Sequence, residues 1–107
     1  MELTIRPESA PAGRQVLVLQ GSLDLASQPE LLEAARTAGD EPGTTALVLN
    51  LAGITFMDSS GLGAIVRLSG AAEDAGLEFA LAEPSQRVRR VLEMTGLIDR
   101  WPIEAAG

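Results

Sequence analysis

Residues 46–68 read ALVLNLAGITFMDSSGLGAIVRL, and the fold turns on how this stretch is divided. It opens with Ala46-Leu47-Val48-Leu49-Asn50-Leu51, an apolar run typical of a strand buried on both faces. It closes in a helical pattern, with Leu62, Ile65, Val66 and Ser69 spaced for one buried stripe. Between them the period changes at Met57-Asp58-Ser59-Ser60-Gly61. A helix starting here needs one of Asp58, Ser59 or Ser60 to accept a hydrogen bond from a backbone N–H left unpaired in the first turn. Two hydroxyls then stand at the positive end of a helix dipole, where a phosphate can be held. Gly61 and Gly63 are expected to leave that turn flat and open.

Upstream, Leu3-Thr4-Ile5-Arg6 reads as an edge strand and Pro7 to Gly13 as a turn. Gln15 to Gln20 reads as a second strand, antiparallel to the first because the link is short. Gly21 is expected to break it, and Ser22 to Ala26 to form a loop. Ser27-Gln28-Pro29-Glu30 has the form of a capping box, followed by a helix burying Leu31, Leu32, Ala35 and Ala38 and ending at Gly39. Downstream, the helix of the opening stretch runs to Ala75 with Gly76 as its stop, and Leu77 to Ala82 is a strand. Pro84 starts a third helix, with Val88, Val91, Leu92 and Thr95 inside and Arg87, Arg89 and Arg90 beside them. Gly96-Leu97 closes it, and Arg100 to Ile103 reads as a last short strand. The order β-β-α-β-α-β-α-(β) predicts one α/β domain over residues 1–107, a mixed, mostly parallel sheet with helices packed on it.

Composition narrows the chemistry. The chain has 107 residues and a formal net charge of −7, which argues against nucleic acid as a direct partner. All eight basic residues are arginine, and there is no histidine and no cysteine. That excludes a P-loop, Schiff-base chemistry, thiolate chemistry and a Ser-His-Asp triad within the chain. No cofactor or metal is expected: Gly61-x-Gly63 lacks the third glycine of a dinucleotide fingerprint, and nothing resembles a metal cluster. No apolar run approaches the roughly 20 residues of a membrane span, and MELTIRPE is no signal peptide, so a cytoplasmic protein is expected.

Three oxygen-bearing residues, Asp58, Ser59 and Ser60, crowd a capping task that needs one. The plain reading is that one caps the helix and the others are incidental; the surplus argues for a further role. Asp24, after the second strand, has the plain reading of a turn residue. It shares an edge with Ser59 if their strands are parallel neighbours, because loops after parallel strands gather where ligands dock. Arg87, Arg89 and Arg90 read first as a solvated face and second as a phosphate contact. Trp101 reads as core-edge packing.

At Phe56-Met57-Asp58-Ser59-Ser60-Gly61-Leu62-Gly63 the chain resembles the STAS domain of bacterial anti-sigma factor antagonists of the sporulation and general-stress type. Gly21-Ser22-Leu23-Asp24 is similar to the family's G-x-L-D, Val48-Leu49-Asn50-Leu51 to its central strand, and Met94-Thr95-Gly96-Leu97 to its M-[ST]-G-L. The resemblance covers nearly the whole chain. It implies a partner switch in which Ser59 is phosphorylated by the partner itself, an anti-sigma factor with serine kinase activity that uses ATP. Asp24 is implied to lie near Ser59 in the contact surface, with Asp58, Ser60, Gly61 and Leu62 framing the docking site. The unphosphorylated form captures the anti-sigma factor and frees sigma, and a metal-dependent serine phosphatase resets the switch. The protein is then no enzyme, needs no membrane, and is a monomer or weak dimer.

One departure is that family members usually end in a further helix, for which only Trp101 to Gly107 remains; that edge is expected to be trimmed, swapped or open. An alternative is a STAS scaffold that is never phosphorylated, in a phospholipid-transport ABC system or a stressosome-like assembly. Ser60 and the bare single domain lean against it. A small hydrolase with Ser59 as nucleophile would lack any His, Lys or Cys to activate it.

Overall fold

Alternating apolar and polar side chains at the start of the chain give two long antiparallel strands, β1 (Leu3–Ala10) and β2 (Arg14–Leu23), joined by a tight 3-10 turn at Pro11–Gly13. The structure, a computed structural model, describes residues 2–105; Met1, Ala106 and Gly107, at the ends of the expected domain, lie outside the described residues. Pro7, expected in a turn, sits inside β1 opposite Leu17. An edge strand accepts it, since half of its N–H groups point away from the sheet. Gly21 does not end β2 either. Its φ of +106° lets the strand pass the Glu2 carbonyl, which a Cβ would approach to 2.0 Å. The strand therefore continues through Ser22 and Leu23, and the expected loop shrinks to Asp24 and a 3-10 turn at Leu25–Ser27.

Then follow α1 (Gln28–Gly39), β3 (Ala46–Met57), α2 (Ser59–Asp74), β4 (Glu78–Ala82), α3 (Gln86–Met94) and β5 (Ile103–Glu104). The sheet order is β1-β2-β3-β4-β5, antiparallel only between β1 and β2. This is the predicted α/β order, with β5 overlapping the expected last strand at Ile103 alone. Because each parallel strand lies beside its predecessor, right-handed crossovers bring all three helices to one face. There Leu31, Leu62, Ile65, Leu68, Val88 and Leu92 meet Leu17, Leu19, Leu49 and Leu81 in one core. The other face carries a smaller cluster of Val48, Ala80 and Ala82, packed by Val16. Arg14 and Glu104, at the registers of that same face, form an ion pair.

β3 runs to Met57, well past the apolar stretch that marks it in the sequence. Its register against β2 slips twice: Val18 faces Asn50 but Gln20 faces Gly53, and Gly21 faces Ile54 but Ser22 faces Phe56. Each slip adds one residue to β3, a β-bulge. Leu49, Leu51, Ile54 and Met57 thereby all reach the core, although their spacing goes from two to three. Gly53 sits in the first bulge, where a Cβ would lie 2.6 Å from Gln20 Cγ and 2.9 Å from the Leu19 carbonyl oxygen. β4 pairs with β3 only as far as Asn50. Beyond it α3 packs along β3, its start tied there by the Ser85 N–H donating to the Leu51 carbonyl at 3.2 Å.

Pro84, expected in the first turn of the third helix, lies ahead of it: α3 begins at Gln86, and Ser85 caps it, accepting from the Val88 N–H at 3.3 Å. The helix closes as expected: Gly96 takes φ +76° and the Leu97 N–H donates to the Leu92 carbonyl at 2.8 Å. Gly76 and Leu77 close α2 in the same manner, on the Ala72 carbonyl. Thr95 is exposed, not inside, and Val66 is 45% exposed, off the buried stripe of α2. Trp101 is buried at the core edge as expected: its ring meets Phe79 edge-on at 6.1 Å, and Nε1 donates to Ser69 Oγ at 2.7 Å. Among the described residues no helix is long and apolar enough to cross a membrane.

Candidate functional site

β2 and β3 are parallel neighbours paired as far as Leu23 opposite Met57. The next residue of each strand, Asp24 and Asp58, therefore leaves the sheet side by side, which is the condition for Asp24 and Ser59 to share an edge.

Asp58 resolves the crowding at the start of α2. It keeps extended backbone angles, and its Oδ1 accepts from the N–H groups of Ser60 at 2.9 Å and Gly61 at 3.1 Å. It is the cap. Ser59 and Ser60 become the first two helical residues, and among the described residues neither hydroxyl has a hydrogen-bond partner. Ser59 is exposed; Ser60 is half-buried, with its carbonyl accepting from Gln28 Nε2 at 2.5 Å.

Asp24 is held by a reciprocal pair of bonds one turn earlier than the expected box. Its Oδ1 accepts from the Ser27 N–H at 3.2 Å, and Ser27 Oγ accepts from the Asp24 N–H at 2.9 Å. Ser27 is thereby occupied, and it makes no side-chain cap for α1 with Glu30. The tighter 3-10 turn wins because the buried Ser27 hydroxyl also donates to the Ser22 carbonyl at 3.1 Å.

Gly61 and Leu62 face inward. A Cβ on Gly61 would lie 2.1 Å from the Leu23 carbonyl oxygen, so only glycine lets α2 press this closely on the end of β2. Leu62 is buried in the core. The expected flat surface is thus half right: Gly63 looks outward, with nothing within 4 Å of a Cβ built there, while Gly61 is a spacer. Of the expected docking residues, Asp24, Asp58, Ser59 and Ser60 offer surface, and Gly61 and Leu62 act beneath it.

Two apolar side chains at this end escaped the sequence reading. Leu25, beside Asp24, is 69% exposed, and Val66 lies two turns from Ser59 on α2. An apolar residue in an otherwise polar turn was the available signal for Leu25; Val66 fitted the buried stripe by spacing and gave none. Arg87, read as part of a solvated face, stands 5.0 Å over the Phe56 ring, just before the site. Among the described residues no group of acidic side chains could hold a metal ion. An exposed Ser59 flanked by half-buried Asp24, Asp58 and Ser60, with apolar Leu25 nearby, suits a protein surface better than a small ligand. An apolar cavity of about 310 Å³, lined by Leu32, Leu47, Leu68 and Leu77, lies where β3 begins, away from Ser59.

A family model described as STAS domain matches residues 8–106. The anti-sigma-B factor antagonist of Staphylococcus aureus (strain NCTC 8325 / PS 47) is 37% identical over 79 residues, 74% of this chain and 72% of the relative. The solved structure of the anti-sigma factor antagonist SpoIIAA in its unphosphorylated form aligns with a TM-score of 0.78 at 27% identity, covering 97% of this chain and 89% of that one. The phosphorylated form of the Bacillus cell fate determinant SpoIIAA aligns at 0.73 and 26% identity, covering 97% and 92%.

Proposed function

The chain belongs to the STAS domain family, and on that premise we propose that it is an anti-sigma factor antagonist whose partner binding is switched by phosphorylation of Ser59. The unphosphorylated surface captures an anti-sigma factor and so releases the sigma factor. That anti-sigma factor carries the serine kinase activity, and a separate serine phosphatase restores the free hydroxyl. The chain itself is a substrate and a ligand, not a catalyst: it has no His, Lys or Cys to activate a serine.

The observation that carries this reading is the division of labour at the start of α2. Asp58 does the capping, so the exposed Ser59 hydroxyl is left without a structural task. A phosphate there adds about −1.5 to −2 charges at pH 7. The helix dipole tolerates it, and no buried contact is disturbed, so folding changes little. At a closed protein contact the same charge must be desolvated beside Asp58 and Asp24, on a chain of net −7. The modification is nearly neutral for the fold and strongly unfavourable for docking. A solved phosphorylated form of SpoIIAA supports the first half, because that related fold accommodates a phosphate.

Intact-mass analysis after mixing with candidate serine-kinase anti-sigma factors and ATP tests it. One added phosphate is expected, absent in Ser59→Ala, together with loss of the complex after phosphorylation. Failure with every cognate candidate, combined with co-purification with a transporter ATPase, would move the chain to the unphosphorylated scaffold class.

A further inference from the structure

The arginines of this acidic chain are unevenly employed. Arg6, Arg14 and Arg36 each pair with a carboxylate. Among the described residues Arg67, Arg87, Arg89, Arg90 and Arg100 make no ion pair. Residues 86–101 hold four of the eight arginines and two of the fifteen acidic residues, so this segment carries +2 and the remainder −9. Arg87, Arg89 and Arg90 are exposed on α3; Arg87 and Arg90 share one side of the helix by their three-residue spacing, and Arg89 and Arg100 border one hollow beside Trp101.

Arg87 and Arg100 lie over the Phe56 and Trp101 rings at 5.0 and 5.9 Å, but the charges of the patch have no carboxylate partner among the described residues. Arg87 lies in the first turn of α3, which has no acidic residue, so its charge opposes the helix dipole. α2 shows the converse: its last two residues are Glu73 and Asp74, with no basic residue in that turn. Two helix ends thus carry the sign that each dipole disfavours, and the two signs are complementary. Met94, one turn beyond Arg90, is 79% exposed, the most exposed large apolar side chain described. Exposed arginines around an exposed methionine have the composition of a contact surface.

We propose that the arginine face of α3 docks on the acidic C-terminal end of α2 in a second copy of this chain. The contact is heterologous, one face against a different face, so it propagates head to tail. Its ionic-strength dependence is distinctive. At very low salt the net charges of two acidic molecules repel across their full 34 Å length. Near 0.1 M salt the Debye length is about 10 Å, which screens that repulsion and leaves the facing patches attractive; near 1 M it is about 3 Å and the patches are screened too.

Sedimentation of the full chain tests this. Concentration-dependent oligomers are expected near 0.1 M salt and monomers near 1 M. Arg87→Gln with Arg90→Gln neutralises one face, and Glu73→Gln with Asp74→Asn neutralises the other, so each double variant alone is expected to be a monomer. Mixed together they are expected to form a one-to-one dimer and nothing larger, since one complementary pair of faces survives; that pairing also shows both variants folded. Met94→Ser is expected to weaken self-association about tenfold. A wild-type chain that is monomeric at every salt and concentration overturns the proposal and points the arginines at an acidic protein of another kind. Double variants that assemble like the wild type, or a mixture that stays monomeric while both variants melt cooperatively, overturn it as well.

Discussion

Asp58 satisfies two backbone donors with one oxygen, and nothing else at the start of α2 does so. Asp58→Ala should lower stability by about 1 kcal/mol, and Asp58→Asn by less, because an amide oxygen still caps; urea unfolding measures both. The paired glycines differ more than their spacing suggests. Gly61→Ala forces a methyl against the Leu23 carbonyl and should destabilise by about 1–3 kcal/mol, whereas Gly63→Ala meets open space and should stabilise by about 0.5–1 kcal/mol. Melting curves of the two variants should move in opposite directions. That distinction was not legible beforehand, since inward and outward glycines are told apart only by what packs over them. The crowding of Asp58, Ser59 and Ser60 was legible; which residue won the cap depended on backbone angles. For Ser59→Asp, a melting temperature close to wild type is expected together with loss of anti-sigma factor binding. A large loss of stability would contradict the separation of folding from docking.

β3 shows where periodicity stops being a guide. Its first half follows the expected buried run, but two bulges let Ile54 and Met57 reach the core at intervals that no regular strand produces. The continuous apolar run that marks the strand in the sequence therefore ends at Leu51, while the strand itself runs on to Met57. The bulges are also what bring Met57 level with Leu23 and so deliver Asp58 beside Asp24. Gly53→Ala, crowded by Gln20 and the Leu19 carbonyl, should destabilise by about 1–3 kcal/mol in urea unfolding. It should also weaken partner binding, because the bulge sets where the strand ends. Helix ends were read more accurately than strand ends. Gly76 and Gly96 each take a left-handed conformation that marks a stop in any context, while Ser27 was diverted from its expected cap by a tighter local turn.

Across the whole molecule, the order of elements was legible because each apolar run is followed by a helical pattern of ordinary length. The neighbour relation of β2 and β3, on which the site depends, followed from that order only once the sheet was known to be sequential. Besides the β4–β5 pairing and the Arg14–Glu104 ion pair, a buried side-chain bond ties the C-terminal segment to α2: Trp101 Nε1 donates to Ser69 Oγ. Ser69→Ala leaves that N–H without a partner and should lower global stability by about 1–3 kcal/mol, seen as a parallel shift of the thermal transition by all probes. This bond has a practical consequence. Trp101 is the sole tryptophan of the chain, and its indole is fastened to the same helix that presents Ser59 at its tip. The protein thus contains its own fluorophore, bonded to the helix whose first turn carries Ser59, and the proposed capture of a partner is expected to change its intrinsic emission, which titration without an attached dye would measure.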